Sequence, residues 1–65
     1  MSGSSDFLKE AARLRDMAHR ARRMAAQLSI ESDRLRLEGY AQELETEAAG
    51  WERRAAAEKT KEQGL

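Results

Sequence analysis

The stretch "MAAQLSIESDRLRLEGY", residues 24–40, decides the fold: either one long helix runs through it or the chain turns back. Upstream, apolar residues recur at Phe7, Ala11, Leu14, Ala18, Ala21, Ala25 and Leu28. Their steps alternate between four and three, the heptad seam of an amphipathic helix. Downstream, Leu37, Ala41, Leu44, Ala48, Trp51 and Ala55 repeat the alternation, with Ile30 one heptad before Leu37. The two stripes are out of phase. Leu28 to Leu37 is a step of nine, which at ~100° per residue rotates the stripe by roughly 180°. One straight helix would put the stripes on opposite sides, and a turn near residues 28–33 removes the conflict. Ser29 is a favourable N-cap for the second helix, with Glu31 and Asp33 in its first turn, where the helix dipole favours acids.

The pattern therefore predicts an all-α chain, an antiparallel helical hairpin over residues 5–58. Its first helix spans about 5–28 and its second about 30–58. Residues 1–4, at the head of "MSGSSD", read as a flexible leader, and 59–65, within "EKTKEQGL", as a frayed tail that has lost the heptad. Folding back around residue 29 pairs Leu28 with Ile30, Ala21 with Leu37, Leu14 with Leu44, and Phe7 with Trp51. Ala18 then meets Ala41 and Ala11 meets Ala48, so rows of Ala let the helices approach closely. The same register brings Arg20 near Glu38 and Arg13 near Glu45.

Composition agrees and points to association. A chain of 65 residues is below the size at which one core normally suffices. It has no Cys and one His, so neither disulfides nor a Cys/His zinc site can supplement the core. Self-association remains. Beside the seam lie Met17, Met24 and Tyr40 on one flank, with Leu8, Ala12, Ala26, Leu35, Ala49 and Ala56 further round. Pairing two hairpins would bury the Met17, Met24, Tyr40 flank and give an antiparallel four-helix bundle, and the outer Ala and Leu positions could serve a second interface in a higher or heteromeric assembly. The expected oligomer interface is Met17, Met24, Tyr40, Leu8 and Leu35, and a homodimer is the expected assembly.

A Cys-free helical hairpin of this length with Ala rows, carried by "LRDMAHRARRMAAQLS" and "DRLRLEGYAQELETEAAGWERRA", resembles the Rop-type hairpin proteins. It is also similar to short bacterial helical-hairpin proteins. The likeness lies in length and heptad layout across most of the chain. The Rop resemblance implies a dimeric four-helix bundle and, as in that family's best-known member, binding to paired RNA loops.

Charge supplies the other candidate sites. Residues 6–28 carry six cations against three acids, net +3, and residues 29–58 four against eight, net −4. The run "HRARR" makes Arg20, Arg22 and Arg23, with Arg13 and Arg15, the candidate phosphate contacts of an RNA-binding surface. The arginines are scattered around the helix and the second helix is acidic, so solvated or paired arginines are the simpler reading. Asp16 and His19 have a spacing that metal sites in bundles use, but they point away from the seam. No nucleophile, base and sheltered pocket come together, and no cofactor or metal site is expected. With no ~20-residue apolar run and no signal-peptide pattern, a cytoplasmic location is the expectation. The functional reading is a non-enzymatic helical interaction or assembly module. An RNA-binding regulator working through the first helix is the alternative, and a protein partner or RNA the partner class beyond a second copy.

Overall fold

The computed structural model describes residues 3–63. It consists of two antiparallel helices, α1 (Gly3–Gln27) and α2 (Glu31–Gln63), in a rod of 54 × 15 × 10 Å. The reversal occupies residues 28–30. Leu28 N donates to Ala25 O at 3.1 Å, tightening the last turn of α1, and Arg34 N donates to Ile30 O at 3.0 Å. Ile30, not Ser29, therefore holds the N-cap position of α2, because the reversal uses three residues. Glu31 and Asp33 lie in the first turn as expected. No described residue has a positive φ, so the turn needs neither Gly nor Asn.

The seam is built as the spacing predicts, from Ala11, Leu14, Ala18, Ala21 and Ala25 on α1 and Ala41, Leu44, Ala48 and Ala55 on α2. Every seventh residue on each helix is a buried Ala: 11, 18 and 25 on α1, and 41, 48 and 55 on α2. A methyl group at these layers keeps side chains from holding the backbones apart. Leu14 and Leu44 are the large side chains that the seam buries. Phe7 and Trp51, both half-buried, close the open end with ring centroids 5.5 Å apart and planes tilted by 42°, within the range of favourable aromatic pairs.

Four expectations need correction. Leu28 and Ile30 are not core: they are 36% and 60% exposed, because both fall in the link, where the heptad continues in sequence but the helices do not. Leu37 is half-buried rather than enclosed, because it lies close to the link, where the seam is running out. The charge partners differ as well. Arg13 bonds Glu10 and Arg20 bonds Asp16, each within α1, since a carboxylate three or four residues away on the same helix lies closer than one across the seam. The helices also run longer than the pattern implies. Residues 3 and 4 are helical, and α2 continues through the expected tail to Gln63, with Thr60 Oγ1 donating to Ala56 O at 2.9 Å. Lys, Glu and Gln are good helix formers and sustain a helix without a heptad. Gly64 and the remainder of the tail and leader lie outside the described residues.

Gly39 sits on the outer face of α2 in open space: a Cβ there would meet no neighbour within 4 Å. Close packing within the hairpin does not account for it. Gly39→Ala is accordingly expected to raise stability by about 0.5–1 kcal/mol through backbone entropy alone. Thermal unfolding followed by circular dichroism should show a rise of several degrees, and a fall would reveal a contact at that face.

Candidate functional site

Two flanks border the seam, and they differ in chemistry. Along one runs a ladder of charge that joins the helices. Arg15 Nε and Nη2 donate to the Glu52 carboxylate at 2.8 and 2.7 Å. Arg22 Nε and Nη2 donate to Glu45 at 3.2 and 2.7 Å. The four residues each follow a seam residue directly (Leu14, Ala21, Leu44 and Trp51), which places them at the edge of the interhelical contact. Each arginine also feels the next glutamate along, Arg15 that of Glu45 and Arg22 that of Glu38. Heptad spacing of Arg15 and Arg22 opposite Glu45 and Glu52 was the sequence signal for this ladder, and pairing by seam layer alone overlooks it.

Hydrogen bonds from Arg22 and Arg15 hold the Glu45 and Glu52 carboxyls below their ordinary value of 4.5, and Arg13 does the same to Glu10. A carboxyl whose folded pKa is depressed contributes stability that is complete above about 4.5 and lost as the pH falls through the lower folded value. The unfolding midpoint is therefore expected to be lower at about pH 3 than at neutrality. The double variant Glu45→Gln, Glu52→Gln should narrow that difference, and an undiminished difference would exclude the ladder as its source.

The same flank carries a groove of about 700 Å³ at the open end, floored by Leu8, Ala12, Ala55 and Ala56 and edged by Lys9 and Lys59. Leu35 lies a whole number of heptads before Ala56, on this side, and both Leu8 and Leu35 are more than half exposed.

The opposite flank carries its apolar groups at its middle. Met17 packs against the seam, and Arg13 Nη1 approaches its Sδ at 3.2 Å. Tyr40 and Glu47 lie near enough to Arg13 to act on its charge, which places them on this side, and Met24 follows Met17 by one heptad. Met24 and Tyr40 are exposed. Toward the open end Glu47, Gly50, Trp51 and Arg54 line a shallow recess, where the Arg54 guanidinium stands 4.8 Å from the centre of the Trp51 ring. Such a stack is an attractive cation–π contact.

The five candidate phosphate contacts are not one patch. Arg13, Arg15, Arg20 and Arg22 are each engaged with a carboxylate, and Arg23 is exposed on the outer side of α1. Asp16 is held by Arg20 at 2.6 Å. Among the described residues no group of three or more His, Cys, Asp and Glu side chains is arranged to hold a metal ion. No helix among them is long and apolar enough to cross a membrane. The chain matches no known protein family, no curated protein and no solved structure.

Proposed function

We propose that the chain is a small, non-enzymatic assembly module in which two hairpins associate as an antiparallel four-helix bundle. One observation carries this reading. The 7.4 kDa chain exposes 4973 Å², whereas a compact monomer of that mass exposes about 4200 Å². The excess, about 770 Å², is close to the ~800 Å² that each partner contributes to a standard interface. Shape gives the same message: the radius of gyration is 15.2 Å, against about 11 Å for a compact chain of this length. Such a thin rod has a second layer's worth of surface still to bury. The Rop resemblance points the same way.

RNA binding through α1 is the weaker alternative. A phosphate would have to displace the carboxylates that engage Arg13, Arg15, Arg20 and Arg22, and counterion release favours arginines without such partners. Nucleic acid that co-purifies at low salt and is lost with Arg13→Ala, Arg20→Ala would support it.

If folding is linked to self-association, mass action makes the unfolding midpoint depend on protein concentration. The midpoint is expected to rise by several degrees between about 1 and 100 μM. A midpoint that is the same across that range would remove the basis for an assembly module.

A further inference from the structure

We infer that a second copy of this chain covers the flank of Met17, Met24 and Tyr40, and that the flank of Leu8 and Leu35 stays open to solvent. The inference rests on the self-association proposed above and names the surface that carries it.

The two flanks have opposite layouts. On the ladder flank the middle of the rod is charged, with Arg15, Glu52, Arg22 and Glu45 spanning the helices. Its apolar groups sit at the ends, Leu8 in the open-end groove and Leu35 near the turn. A second hairpin laid there would take two ion pairs out of water, and the desolvation cost of a buried pair can exceed its Coulombic gain. The other flank reverses that order. Met17 lies near the middle of α1 with the Arg13 guanidinium against its sulfur, and Tyr40 stands on α2 beside it. Arg13 and Arg20 pair with Glu10 and Asp16 of their own helix, while Glu47 and Arg54 lie toward the open end and Asp33 toward the turn. Met, Tyr and Arg together are the residue types that protein interfaces enrich.

A second copy suits this flank better than an unrelated partner. Two-fold pairing requires a patch that matches itself. An apolar centre at mid-rod superposes on its own copy when two hairpins are related by a two-fold axis. The rim carries both signs of charge, so it calls for no strongly acidic or basic partner. The unburied excess of the hairpin is about one partner's share of a standard interface.

The test compares two double variants whose substituted side chains are exposed in the hairpin, so that both can fold: Met24→Glu, Tyr40→Glu and Leu8→Glu, Leu35→Glu. Sedimentation velocity over a concentration series reads the association constant, and far-ultraviolet circular dichroism reads the helix content. Substitution on the Met24 and Tyr40 flank is expected to weaken association at least tenfold, since interface aromatics often dominate binding. Substitution of Leu8 and Leu35 should change it by less than about threefold, as for exposed sites outside an interface. Should the Glu pair on the Met24 flank lose helix content, Met24→Gln, Tyr40→Gln keeps helix propensity and serves in its place. Weakening confined to the Leu8 and Leu35 variant, or equal weakening by both, would overturn the assignment of the flank. A wild-type chain that is monomeric throughout would instead overturn self-association itself.

Discussion

Leu44→Ala is expected to unfold most of the hairpin. Leu44 is 6% exposed and packs in the seam with Leu14, 3% exposed; the rest of the buried seam is Ala. Removing a buried Leu side chain costs about 2–5 kcal/mol, the lost transfer energy plus the cavity left behind. A core of this size supplies on the order of 3–5 kcal/mol in all. The loss is thus comparable with the whole. For so short a chain each kcal/mol is worth about 4–8 °C, so the midpoint should fall by some 10–20 °C or more. Circular dichroism at a fixed protein concentration measures it. Leu35→Ala is the control, since Leu35 is more than half exposed, and should stay within about 0.5 kcal/mol of wild type. Equal losses at the two positions would mean that the seam is not where stability resides.

The second large effect comes from adding atoms. Ala18 and Ala41 are both fully buried, at 0% exposed, in the Ala rows of the seam. Ala18→Leu forces the helices apart or drives the side chain out of its preferred rotamers. Overpacking of this kind costs about 1–3 kcal/mol, occasionally more. Here the upper end is expected, because separating the helices at one layer loosens the neighbouring layers at Leu14 and Ala21 as well. The same change at Ala26, on the exposed side of α1, should be nearly neutral. An Ala18→Leu variant as stable as wild type would show that the Ala rows do not set the helix spacing.

These two predictions rest on features that were legible in the sequence for a clear reason. The alternation of four and three from Phe7 to Ala25 and from Leu37 to Ala55 follows directly from helix geometry, and it names the buried residues. The phase break between Leu28 and Leu37 locates the turn. Leu28 and Ile30 mislead because periodicity belongs to the chain, whereas burial ends where the helix does. Arg13 and Arg20 mislead for another reason. Layer pairing places backbones opposite each other but does not say which way a long side chain reaches, and local carboxylates at Glu10 and Asp16 win. Arg15 and Arg22 cross the seam because they stand directly at its edge. The helix ends at Gly3 and Gln63 escaped because neither needs an apolar stripe, only residues that tolerate helix.

The candidate surface was only partly legible. Met17, Met24 and Tyr40 read from the heptad as the flank that a second hairpin buries, with Leu8 and Leu35 further round. What the heptad alone does not reveal is the Arg–Glu ladder, which puts Leu8 and Leu35 on a flank with a charged middle. That distinction depends on which side chains bridge the helices, a property of three-dimensional arrangement.

Sedimentation equilibrium of the full chain at moderate salt, over about 1–100 μM, tests self-association most directly. The expected mass approaches twice the 7.4 kDa of one chain as concentration rises, with Met24→Glu, Tyr40→Glu shifting the curve toward the single-chain mass. A mass that stays at 7.4 kDa at every concentration, with the helices intact, would contradict the assembly module.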